Sequence, residues 1–217
     1  MAYLVIFFFL VSGMPLYAQS DTAEVFKFPL TAETRLRLIE ICARVSSRPV
    51  VKGTFEQTKS ISRLNRSLTS KGNFIIAADQ GMVWETLAPF PSTMAMGRDY
   101  LIQVNPSGTK TKLEAGGNET FLRLADTISA VFSGDSRKLT GSFDNYFSES
   151  GGIWTLGLIP LETPIRSFAA RIVMSGDSVI RSITLYEQNG DTIRYTLSNH
   201  TFPGGLSAGE KNLFSLQ

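Results

Sequence analysis

Gly205-Leu206-Ser207-Ala208-Gly209 fits the Gly-x-Ser-x-Gly pattern of a hydrolase nucleophile elbow, and His200 is the only histidine that could act as its base. In that chemistry a serine oxygen attacks a carbonyl while an imidazole takes its proton. An elbow also needs a strand before it, a helix after it, and an acid and then a histidine downstream. Here the histidine lies upstream and eight residues follow Gly209, so no catalytic residue is assigned. Instead, His200 reads as a surface residue at a strand end. Cys42 is the only cysteine, which excludes an internal disulfide. Its neighbours Ile41 and Ala43 suit a buried, inert thiol rather than a nucleophile. One histidine, one cysteine and scattered carboxylates lack the spacing of metal ligands. Gly116-Gly117 is a turn before a helix rather than a phosphate loop, so no metal or cofactor is expected.

What remains is binding, and composition narrows the partner. With 217 residues, of which 43% are hydrophobic and 18% charged, the chain can build one sizeable core. A net charge of +2 and no long run of like charge exclude the basic field that nucleic acid requires. Met1 to Ser20 holds no charged side chain, and Leu4 to Val11 is continuously apolar. This reads as a signal peptide cut after Ala18 or Ser20, with a retained anchor as the alternative. No cysteine follows it to accept a lipid. Residues 21–217 then form a single exported domain.

The elements that would position a binding site are mostly strands. Ser70 to Pro91 predicts a hairpin hinged at Asp79-Gln80-Gly81, with Gly72, Phe74 and Ile76 on one side of the first strand and Met82, Trp84 and Thr86 on one side of the second. Its large apolar groups fit either a packed core or an open site. Thr31 caps an expected helix over Ala32 to Val45 whose apolar face is Leu36, Ile39, Cys42 and Val45. After Pro49 the pattern alternates through Val51, Gly53, Phe55 and Gln57. Short strands are expected at Thr93 to Met96, Tyr100 to Val104 and Lys110 to Glu114. A second amphipathic helix follows over Glu119 to Phe132, and five more strands span Leu139–Tyr146, Gly152–Ile159, Ser167–Met174, Val179–Glu187 and Thr192–Ser198. Short connections make the sheet antiparallel. The fold class is therefore α+β: an incomplete, unclosed antiparallel β-barrel of about ten strands covered by α-helices, with a β-sandwich as the competing architecture.

Phe55-x-Gln57, Ser70-x-Gly72-x-Phe74, Trp84 followed by Pro89, Asn105-Pro106, and Trp154-x-Leu156-x-Leu158-x-Pro160, in this order and spacing, resemble the periplasmic outer-membrane lipoprotein carriers, the LolA-like family, over Leu36 to Ser198. The resemblance implies a half-barrel lidded by helices around an apolar cavity for acyl chains, without cofactor or catalysis. It also implies a lipidated-protein cargo, an inner-membrane exporter complex as donor and an outer-membrane acceptor; with the export signal, a periplasmic monomer is expected. Met82, Trp84 and Met94 match the family's cavity-lining positions, and Phe121, Leu122 and Leu124 match its lid helix. Phe74, Met96, Leu36 and Ile39 complete the expected lipid-binding set. Two departures stand out. Ala78 occupies the position where the well-studied carriers have a lid-latching Arg, and Leu206 to Gln217 does not match the usual ending. A carrier of glycolipid or another membrane lipid, and a sensor that reads a partner through the same groove, are the alternatives.

Overall fold

The computed structural model describes residues 22–114, 116, 126, 127, 129, 130, 135–167 and 169–215. Helix α1 (Ala32–Ser46) leads, followed by strands β1 (Val50–Ile61), β2 (Arg66–Ala77), β3 (Gly81–Ala88), β4 (Ser92–Met96), β5 (Tyr100–Val104) and β6 (Lys110–Glu114). Helix α2 (Ser136–Ser142) opens the second half, with β7 (Phe143–Ser150), β8 (Ile153–Pro160), the turn α3 (Thr163–Arg166), β9 (Arg171–Gly176), β10 (Ile180–Tyr186), β11 (Thr192–Thr201) and a terminal turn α4 (Ala208–Lys211). The strands form one antiparallel sheet of eleven in the order β6-β5-β4-β3-β2-β1-β11-β10-β9-β8-β7. Each half is a meander built on short turns, and the pairing of β1 with β11 joins the halves, setting Phe55 opposite Leu197 and Gln57 opposite Tyr195. Strands β6 and β7 are the two ends of that order, so the barrel is unclosed.

The central hairpin turns where expected. Gly81 has φ +120°, and a Cβ there would lie 2.1 Å from the Met96 carbonyl oxygen, so only glycine allows β4 to approach this closely. Register then places Phe74 opposite Trp84, Ile76 opposite Met82 and Trp84 opposite Met94. Because side chains alternate, these residues share one face with Phe55 and Leu197. That face carries the main core, where Leu156, Leu158, Met174 and Ile183 pack with Leu38, Ile41 and Cys42 of α1 and Leu139 of α2.

Three expectations change. The face α1 buries is Leu38, Ile41 and Cys42, with Val45 packed beside them, while Leu36 is 66% and Ile39 45% exposed. Both stripes have helical spacing. The buried one packs into the core of the sheet with Leu139, Leu156 and Leu158, and on the exposed side Arg37 donates to both carboxylate oxygens of Glu149 on β7, at 2.8 and 2.9 Å. Second, residues 136–142 are helical rather than the start of a strand. The Asp135 carboxylate accepts from the Arg137 and Lys138 amides, satisfying first-turn donors, and Leu139 is fully buried in the core. Third, the strand expected from Ser167 begins at Arg171, after a helical turn with Pro164 at its start, a position proline tolerates.

The opposite face of the sheet is covered by the chain's ends. Phe214, with Leu206 beside it, packs on Val50, Ala77, Val83, Ala95 and Ile102, and Lys52 pairs with Glu210. Near the start, buried Val25 and Phe26, edge-on to Tyr146 at 5.3 Å, cover the far half. Backbone bonds from Leu30 to Asn145 and from Phe147 to Phe28 add this segment to the β7 edge. The Lys52 ammonium, first, and hydrogen bonds from Ser207 hold the Glu210 carboxyl down at about 2. A depressed carboxyl stabilises the folded state above its ordinary pKa, and that contribution is lost as pH falls through the depressed value. Hydrogen exchange across 206–214 should therefore accelerate as pH drops from about 4.5 toward 2, once corrected for intrinsic rates, and Lys52→Met should flatten the response.

Candidate functional site

A hollow of about 450 Å³ lies between the C-terminal half of α1, one end of the core face of the sheet, and the start of α2. Its floor is apolar: Val51 from β1, Phe74 and Ile76 from β2, Met82 from β3, Ile180 from β10 and Leu197 from β11. These residues converge because β1 and β2 carry odd- and even-numbered positions on the same face through their antiparallel register, with Val51 opposite Ile76. Ile39, Cys42 and Val45 of α1 form a wall. Burial, first, raises the Cys42 thiol to about 12, so it stays protonated and behaves as an apolar group.

The rim is polar and mostly basic. Arg48, Arg137, Lys138, Asp135 and His200 line it. The Arg48 guanidinium carbon sits over the Phe202 ring, 3.3 Å from its centroid. Lys138 reaches Asp126 at 2.7 Å. His200 ends β11, edge-on to Phe74 at 5.6 Å. Its Nδ1 is buried with no hydrogen-bond partner among the described residues. Burial, then the charge of Arg181, lowers its pKa from the ordinary value. The expected surface residue is thus half-buried in the wall of the hollow. Sequence could not show this, because β11 reaches the site only by pairing with β1.

Of the expected lipid-binding set, Phe74, Met82 and Ile39 line the hollow. Trp84 does not: it is 7% exposed, stacked on Phe55 at 4.2 Å and on Phe74 at 5.9 Å, with Tyr195 edge-on at 5.2 Å. Met96 is buried in the core and Met94 packs against it, and neither is among the residues that line the hollow. Leu36 points to solvent. Phe121, Leu122 and Leu124, with most of the expected second helix, lie outside the described residues. Ile76 was reachable from its alternation with Phe74. Ala78, at the family's latch position, lines the hollow and donates its amide to the Pro49 carbonyl, without a side chain that could bond a lid.

Ser207 is taken up by local structure. Its Oγ lies 2.9 Å from the Glu210 carboxylate and accepts from the Glu210 amide, the capping box of α4. Among the described residues no group of three His, Cys, Asp or Glu side chains gathers to hold a metal. No helix among them is long and apolar enough to cross a membrane.

A concave hollow with an apolar floor and a few polar groups at its rim is the form that small-molecule binding sites take, and about 450 Å³ falls in their usual range of ~300–1,000 Å³. The molecule is thus an unclosed β-barrel with a helix-walled hollow. Residues 46–214 match the family model described as outer membrane lipoprotein carrier protein LolA, and the chain belongs to that family. The match starts later than the expected Leu36 and runs past Ser198, taking in the terminal segment. No curated protein matches the sequence. Similar solved structures include a LolA superfamily protein from Nitrosomonas europaea, 10% identical with a TM-score of 0.46, covering 86% of this chain and 98% of that one. A DUF1329 family protein from Desulfovibrio piger is also 10% identical, TM-score 0.46, covering 85% and 97%. The Mycobacterium tuberculosis lipoprotein LppX is 10% identical, TM-score 0.44, covering 82% and 100%.

Proposed function

We propose that this protein is a periplasmic carrier that shelters acyl chains in the hollow beneath α1 and moves them through water toward the outer membrane. The observation that supports the reading is a hollow with an apolar floor in a chain of a carrier family. A methylene fills roughly the volume of a water, about 30 Å³, so the space suits one chain of about fifteen carbons. At about 0.8 kcal/mol per CH₂, its full transfer from water gains on the order of 12 kcal/mol. That exceeds what a carrier needs, so opening the wall and ordering the chain must offset much of it before release is possible. The opening of the wall falls to helix α1, whose Ile39 lines the hollow while remaining 45% exposed. With Ala78 in place of a latch, its hold comes from packing and from Arg37 on Glu149.

By family, the cargo is a lipidated protein, received from an inner-membrane exporter complex and passed to an outer-membrane acceptor by a monomeric carrier. A membrane lipid is the second reading, and the charged rim favours it. The test is extraction: vesicles of labelled acyl lipid are mixed with the protein and sedimented. Label is expected in the supernatant at up to one chain per protein; label that stays entirely with the vesicles would contradict the reading.

A further inference from the structure

The floor of the hollow explains an acyl chain but not the polar groups at its mouth. Three cations, Arg48, Arg137 and Lys138, stand there against one lining carboxylate, Asp135. That carboxylate is already occupied, accepting from the Arg137 and Lys138 amides, and Lys138 is bonded to Asp126. Arg48 and Arg137 form no ion pair among the described residues. The guanidinium carbon of Arg48 sits over the Phe202 ring, a contact that holds the group at the mouth while no ion pair among the described residues takes its N–H groups. Such a fork suits two parallel bonds to a phosphate.

We infer that the ligand is an anionic phospholipid, its phosphate held by Arg48 and Arg137 and its chain on the floor of Val51, Ile76 and Met82. This rests on the acyl-carrier reading and names the lipid class that the same site takes. A chain alone is recognised by area and without direction; the cations give it orientation, headgroup outward, and selectivity over neutral lipids.

The test compares lysophosphatidylglycerol, a monoacylglycerol of the same chain length, and inorganic phosphate, each below its aggregation limit, by isothermal titration calorimetry. The protein and the double variant Arg48→Gln/Arg137→Gln are titrated side by side. The phospholipid is expected to bind at least about tenfold more tightly than the monoacylglycerol, the scale of one or two charge-assisted bonds. The double variant should lose that margin while keeping its affinity for the monoacylglycerol, which also shows that its fold and hollow are intact. Equal affinity for both lipids, unchanged by the substitutions, would overturn the inference and leave the acyl carrier standing. Binding of neither lipid would overturn both, and phosphate binding as tightly as the phospholipid would overturn the joint site.

Discussion

Trp84→Ala is expected to lower the stability of the fold by about 3–5 kcal/mol, the usual cost of deleting a large buried aromatic. The indole is sandwiched with Phe55 and Phe74 and met edge-on by Tyr195, and all three contacts are long-range in sequence or cross-strand. Few neighbours can collapse into the gap, because they are themselves held by sheet register. Chemical denaturation measures the change as a shift in midpoint at constant slope. Trp84→Phe, which keeps most of the stacking, should leave acyl-chain binding unchanged. A loss below about 1 kcal/mol for the alanine variant would place Trp84 beside empty space, where truncation removes little packing, and would contradict the core position described above.

Ile76→Glu is the substitution with the largest expected effect on binding. Ile76 is on the floor of the hollow but only half-buried, so a carboxylate there is tolerated by the empty protein, which can hydrate it through the open mouth. A bound chain would strip that water. Leaving a carboxylate against hydrocarbon costs several kcal/mol or forces it to take up a proton, and each 1.4 kcal/mol is about a tenfold loss of affinity. A drop of about a hundredfold or more in acyl-chain affinity is expected at pH 7, with partial recovery at pH 5 as the carboxyl protonates. Thermal denaturation should show a fold close to that of the parent. Affinity that survives intact at pH 7 would move the acyl chain elsewhere.

The sequence made the sheet largely legible because each half is a meander of local hairpins. Period-two alternation and turn residues such as Gly81 specify such hairpins without reference to the rest of the chain. The phase of α1 was not legible. Leu36, Leu38, Ile39, Ile41 and Cys42 crowd the helix with two plausible apolar stripes, and the core residues that bury one of them, among them Leu139, Leu156 and Leu158, come from the second half of the chain. The same holds for the site. Phe74 and Met82 were visible as large groups on one side of one hairpin, and the structure sets them in the lining while folding Trp84, from the same side, into the core. Alternation assigns a face, but the position along that face depends on where α1 and α2 end. The rim is the least local part of the site: Arg48 precedes β1, Arg137 belongs to a capped helix whose residues 139 onward had strand-like spacing, and His200 arrives from the last strand.

The most direct test of the hollow's purpose is native mass spectrometry of the protein isolated from a bacterial envelope, followed by extraction and analysis of what it releases. A mass excess equal to one acyl-bearing ligand is expected, disappearing on denaturation and absent from the Ile76→Glu variant. Protein that emerges at the bare polypeptide mass, and stays so after incubation with envelope lipids, would contradict the account.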